Sequence, residues 1–207
     1  MEIFVRQLRN TTIRCIAVIF VCAIPAIAPA DVTDGERAYQ YMDYEHAYPA
    51  FARAAKKGDA RAQFYLGEMF EGGIWVTQDQ VAAIRWYRKA ASQGYARAEG
   101  RLASIYSRGA GVKRSPETAF FWYLKAARNG STLDQYETGR RYLEGRGTRI
   151  DPVKAYKWLS IAASDGDPDA ADLLGDLAAT MTMRQKEAGA KLVDTWERDA
   201  AHPPAAP

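Results

Sequence analysis

The chain has 207 residues and carries 28 Lys and Arg against 25 Asp and Glu, a formal charge of +3. So small an excess gives no electrostatic reason to expect a nucleic-acid partner. A content of 48% hydrophobic and 26% charged residues is that of an ordinary globular chain, long enough for one compact domain or a short repeat array.

The first thirty residues stand apart. Arg6, Arg9 and Arg14 make a basic start, an apolar run follows from Cys15 to Ile24, and small residues end the segment, with Ala28 and Ala30 three and one positions before a cut. This order predicts a secretory signal peptide over 1–30, cleaved after Ala30. The apolar run falls short of the roughly 20 residues that span a bilayer, and Pro25 and Pro29 interrupt it, so no stable membrane anchor is expected after cleavage. Cleavage removes Arg6, Arg9, Arg14 and Glu2, taking the charge from +3 to +1, and it removes Cys15 and Cys22, the only cysteines. A chain without thiols suits an oxidising compartment, and the expected location is periplasmic or secreted.

From residue 31 onward one phrase recurs. "AYPAFARAAKKG" (47–58) returns as "AIRWYRKAASQG" (83–94), "AFFWYLKAARNG" (119–130) and "AYKWLSIAASDG" (155–166), 36 residues apart each time. A fixed period of this length marks a stacked-repeat architecture. Ala83, Trp86, Tyr87, Ala90 and Ala91 are spaced as one face of an α-helix, and the equivalent residues recur in the next two copies. Asp43, Asp79, Ser115 and Asp151 are placed to cap these helices, Pro116 and Pro152 follow at the first helical position, and Gly58, Gly94, Gly130 and Gly166 end them. A second helix fills the other half of the period: Ala62, Leu66, Gly67 and Phe70 return as Ala98, Leu102, Ala103 and Tyr106, ending near Gly73, Gly109 and Gly145. One helix pair cannot cover both of its apolar faces. Stacking is therefore expected to bury Trp86, Trp122 and Trp158 in a continuous seam.

The stretch "AQFYLGEMFEGGIWVTQDQVAAIRWYRKAASQG" (62–94) carries a pattern that resembles the Sel-one-like repeat, a relative of the tetratricopeptide repeat, and the resemblance extends over roughly 34–180. It implies an all-α, right-handed α-solenoid of helix-turn-helix repeats that binds other proteins. The expected organisation is a solenoid over 31–180, a capping helix over 181–200 with a Thr182–Gln185 capping box, and a disordered tail over 201–207. The first repeat has a short first helix. There are departures from the pattern. Trp75 stands where the other copies have Gly111 and Gly147, and Asp134 and Thr138 replace Ala and Leu, which predicts looser packing of that helix.

No constellation for catalysis is legible. The two histidines, His46 and His202, form no metal pair and flank no nucleophile. Asp165, Asp167, Asp169 and Asp176 fall at calcium-loop spacing, but Ala170 occupies the glycine position and Pro168 sits inside. A tight turn followed by a capped helix accounts for every one of these residues. The repeated tryptophans read as core rather than as a sugar-binding ladder. No enzyme activity, cofactor or metal is expected.

In tetratricopeptide geometry the first helix of each pair lines the concave groove. Transferred to this chain, that resemblance implies a partner-binding strip of Arg61, Phe64, Glu68, Arg97, Ser104, Leu133, Tyr136, Arg140, Asp169, Asp172 and Asp176. Its early and middle parts are basic and its last part acidic, with Phe64 and Tyr136 as aromatic anchors. The expected function is an exported protein-interaction module of the bacterial cell envelope with a protein partner. The alternatives are an immunity or inhibitor protein against a toxin, and a cell-wall-directed enzyme or its accessory.

Overall fold

The computed structural model describes residues 32–201. The expected signal peptide and its cleavage site, His202 and nearly all of the expected tail lie outside that range. Ten helices follow in order: α1 (Val32–Gln40), α2 (Tyr44–Lys56), α3 (Ala60–Gly72), α4 (Gln80–Ser92), α5 (Ala96–Arg108), α6 (Pro116–Arg128), α7 (Thr132–Glu144), α8 (Pro152–Ser164), α9 (Pro168–Thr180) and α10 (Met183–Ala201). Among the described residues there is no strand. The eight helices α2 to α9 have 13 residues each. The fold is an α-solenoid in which α3, α5, α7 and α9 make one layer and α2, α4, α6 and α8 the other, consecutive helices from α1 to α9 packing on one another.

Local chemistry sets the helix ends. Asp43, Asp79, Ser115 and Asp151 accept bonds from the backbone N–H groups of His46, Ala82, Thr118 and Lys154, at 2.9–3.3 Å. Each satisfies a donor that the first turn leaves unpaired. Asp167 does the same for Ala170 at 2.8 Å, so this member of the calcium-like series is a helix cap. Gly73, Gly109 and Gly145 close α3, α5 and α7 in the left-handed region, with φ of 65°, 79° and 69°. Trp75 takes the same kind of backbone, φ 65°, where Gly111 and Gly147 have 71° and 77°. A bulky residue pays strain there that glycine avoids.

The tryptophans depart from the expected seam. Trp158 is buried at 3% exposure, whereas Trp86 and Trp122 are only half-buried. The more deeply buried aromatic of each of those helices is the next residue along: Tyr123 is 9% exposed, and Tyr87 is 0% exposed and donates to Glu71 at 2.7 Å. Trp86 and Trp122 lie at the edge, with the ammonium groups of Lys89 and Lys125 at 4.2 and 5.2 Å from their ring centroids. Trp158 differs because Trp196 of α10 packs on it, 5.2 Å between centroids.

A polar position runs through the core at the repeat period. Gln63, Glu99 and Gln135 are 5%, 0% and 2% exposed. Gln63 and Gln135 donate to the carbonyls of Ala55 and Ala127, at 3.3 and 3.4 Å, tying each helix to the end of the preceding one. Gln93 donates to Gln63 and Asn129 to Glu99, at 2.8 and 2.7 Å. A buried carboxylate costs several kcal/mol unless it is paired, and Lys125 supplies the charge for Glu99 at 3.4 Å.

The two departures on α7 lie inside the packed face of the helix. Asp134 and Thr138 are buried at 5% and 0%. Space for Asp134 comes from Gly100 on α5, where a Cβ would meet Asp134 Oδ2 at 2.6 Å. The Thr138 hydroxyl is buried without a hydrogen-bond partner, a cost of about 1–3 kcal/mol.

The C-terminal cap has the expected capping box: Thr182 N–H donates to Gln185 at 2.9 Å and Gln185 N–H to Thr182 at 3.3 Å. α10 packs on α8, where Gly189 lies against the Tyr156 ring. The connection to it is two residues, Met181 and Thr182, against the seven (73–79, 109–115 and 145–151) that join α3 to α4, α5 to α6 and α7 to α8.

Candidate protein-binding face

Three successive helices of one layer, α3, α5 and α7, enclose a depression of about 440 Å³. Its position follows from side-chain size along α5. Gly100 and Ser104 stand on the lining face one turn apart, so the helix presents little bulk there. Phe64 and Tyr123 form the apolar part of the lining, Arg97, Arg101, Glu68 and Glu137 the charged part, and Leu133 stands on the rim at 67% exposure.

Phe64 corrects one expectation. Rather than standing exposed as an anchor, it is 1% exposed and packs with Ala83, Ile84, Tyr87 and Leu102. Burial of a Phe side chain is worth about 1.5–3 kcal/mol, so the ring turns inward. The Arg97 guanidinium covers it at 4.4 Å from the centroid. Tyr136 is half-buried against the α7–α8 core and lies outside the depression. Leu133, expected in the strip but not as its anchor, is the exposed apolar side chain at this site.

The charges are mostly spoken for within the layer. Arg61 pairs with Glu36 at 3.4 Å, and Arg101 with Glu68 at 3.1 Å. Arg140 pairs with Glu137 at 3.0 Å, and Arg141 reaches Glu137 at 3.9 Å and Ser107 at 2.9 Å. Arg141 was not anticipated from sequence; its guanidinium lies 4.3 Å from the Tyr123 ring centroid. Arg97 is the exception among these five arginines. It donates to the Tyr65 hydroxyl at 3.4 Å and stacks on Phe64, and no carboxylate of the described residues lies within ion-pair distance.

Asp134 is the other unanticipated member. Burial lifts its carboxyl to about 6, the charges of Glu137 and Glu99 push the same way, and the Ser131 hydroxyl that donates to it opposes them. Asp169, Asp172 and Asp176 are exposed on α9 and lie outside the depression. The expected strip is therefore divided: Phe64, Glu68, Arg97, Ser104 and Leu133 come together, while Arg61, Tyr136, Arg140 and the three aspartates stand outside. His46 is exposed and bonded to Asp43, its own helix cap, at 2.8 Å. Among the described residues there is no group of three or more His, Cys, Asp or Glu that could hold a metal, and no helix long and apolar enough to cross a membrane.

The repeats have known counterparts. The family described as Sel1 repeat matches residues 60–95, 96–131 and 133–167, more than half of the chain. The chain belongs to the Sel1 repeat family, whose repeats are protein-interaction modules. A Sel1 repeat protein from Oxalobacter formigenes is 37% identical, over 61% of this chain and 95% of its own, with a TM-score of 0.59. Cysteine rich protein B of Helicobacter pylori is 22% identical over 68% of this chain and 95% of its own, with a TM-score of 0.47. A protective antigen of uropathogenic Escherichia coli is 19% identical over 85% of this chain and 56% of its own, with a TM-score of 0.40. No curated protein matches.

Proposed function

We propose that this protein is an exported interaction module of a bacterial envelope and that it holds a protein partner on the α3–α5–α7 face. One observation carries the reading: side chains from three consecutive repeats converge on an open depression with an exposed leucine, Leu133, on its rim. Repeat arrays present extended surfaces of this kind to partners, and an exposed apolar side chain beside oriented arginine is the composition of an interface centre. Export rests on the basic, apolar and small-residue order of residues 1–30.

A photo-crosslinking residue placed at position 133 tests the binding face, with position 121 as the control. Phe121 is 54% exposed on α6, in the other layer. A single crosslinked partner from position 133 and none from 121 is the expected result; the reverse would assign binding to the opposite layer. N-terminal sequencing of the protein from the envelope fraction should start at Asp31, and an intact Met1 there would overturn export.

A further inference from the structure

We propose that the depression between α3, α5 and α7 receives an acidic side chain of the partner, the carboxylate of an Asp or Glu, on the guanidinium of Arg97. The inference rests on the binding face proposed above and adds the chemistry of what enters it. Arg97 is held from two sides, by the Phe64 face at 4.4 Å and the Tyr65 hydroxyl at 3.4 Å. A guanidinium has five N–H donors in a fixed plane. The bond to Tyr65 uses one, the Tyr95 hydroxyl and the charge of Glu68 also bear on the guanidinium, and no carboxylate of the described residues lies within ion-pair distance of it. The neighbouring cations are matched inside the layer, Arg101 by Glu68 and Arg140 and Arg141 by Glu137. A planar cation stacked on a ring and without an ion-pair partner is suited to bidentate carboxylate recognition, because the stacking limits the side-chain freedom left to lose on binding.

The acidic groups around the site decide between an anionic and a cationic guest. Glu68 and Glu137 each carry an arginine partner. Asp134 faces the depression from α7. The groups that bear on it are Glu137 on its own helix, Glu99 on α5, which Lys125 of α6 neutralises, and Ser131 in the preceding turn. Arg97 lies one turn before Gly100, the residue that gives Asp134 its space, so the two ionisable groups share the cavity. Ionised Asp134 repels a carboxylate and protonated Asp134 does not. A carboxylate guest therefore binds more tightly as the pH falls through the range in which Asp134 takes up its proton, and a cationic guest binds less tightly.

The test uses two probes, N-acetyl-Leu-Glu-amide and N-acetyl-Leu-Lys-amide, titrated into isotope-labelled protein while the Arg97 Nε–H and the Gly100, Ser104 and Leu133 amides are followed by NMR. The Glu probe is expected to shift these signals saturably, with a dissociation constant on the order of 1 mM as befits a small ligand. Binding should tighten severalfold from pH 7.5 to 5.5. Arg97→Gln should weaken it about tenfold or more, and Arg97→Lys, which keeps the charge and loses the planar fork, should fall between; thermal melts of both establish that they fold. Saturation by the Lys probe, tightening toward high pH, or equal binding by Arg97→Gln would each overturn the proposal, as would the absence of saturation by either probe. Position-133 crosslinking in the Arg97→Gln protein separates the two claims. Crosslinks kept at wild-type yield would leave the face in place and remove the carboxylate from it.

Discussion

The carboxylate of Asp134 occupies the space that a side chain on Gly100 would fill: a Cβ there would lie 2.6 Å from Asp134 Oδ2. The two residues belong to different repeats, and each breaks the pattern of its own copy. Together they restore contact between α5 and α7 and leave an ionisable group beside the depression.

The first prediction follows from that pairing. Gly100→Ala adds a Cβ against a buried polar group and should destabilise the fold by about 1–3 kcal/mol, read as a lowered melting temperature. Asp134→Ala in the same chain should recover most of the loss, since Ala62 and Ala98 occupy the equivalent positions in the two preceding repeats. Additive losses in the double variant would mean that the residues do not share this space.

The second concerns pH. The folded Asp134 carboxyl, at about 6, lies above its ordinary value of 3.8, so the folded state binds the proton more tightly than the unfolded one. This contribution to stability is complete below the ordinary value and is lost as pH rises through about 6. Asp134→Asn should therefore melt above wild type at pH 7.5, by the equivalent of about 1–3 kcal/mol, and the gap should close near pH 4. A gap independent of pH would remove Asp134 as its source.

The third separates the tryptophans. Trp158→Ala should cost about 3–5 kcal/mol, the range for a large buried aromatic, because Trp158 is 3% exposed and meets Trp196. Trp86→Ala and Trp122→Ala should each cost about 1–3 kcal/mol, since both rings are half-buried. Chemical denaturation of the three variants checks the order, and equal losses would restore the uniform seam.

The sequence made the repeat legible because its signals are local. A 3.6-residue apolar period, a capping side chain and a terminal glycine act within one or two turns, and all recur every 36 residues. What lay hidden depends on contacts between repeats. Phe64 reads as outward-facing until Arg97, 33 positions later, is seen lying over it. The half-exposure of Trp86 and Trp122 likewise depends on which neighbour reaches them. The Gln63, Glu99 and Gln135 series did carry a readable signal, polar residues at the full repeat period on a helix otherwise inward-facing, with Gln93 and Asn129 thirty residues beyond the first two. The depression had no such signal, since an absent side chain at Gly100 acquires meaning only opposite Asp134.

A fourth prediction compares two glycines at one register position. A Cβ on Gly139 would meet Leu159 at 2.7 Å, whereas one on Gly175 meets nothing within 4 Å. Gly139→Ala should destabilise by about 1–3 kcal/mol through overpacking. Gly175→Ala should stabilise by about 0.5–1 kcal/mol through helix propensity. Opposite shifts in melting temperature are expected; a loss at both positions would mean that α9 is covered after all.

The two-residue connection after α9 governs how far such an array can grow. The seven-residue connection after α3 returns α4 onto it, and the receiving glycine, Gly67, is then filled by the ring of Tyr87. With only Met181 and Thr182 available, α10 is carried onto α8, and Gly175 keeps an unfilled seat. The repeat geometry thus stops at α10, which takes the face of α8 and leaves that of α9 open. Lengthening that connection to seven residues and appending a unit patterned on 80–115 would give the last glycine its missing neighbour and let the array continue by one more turn of its own geometry.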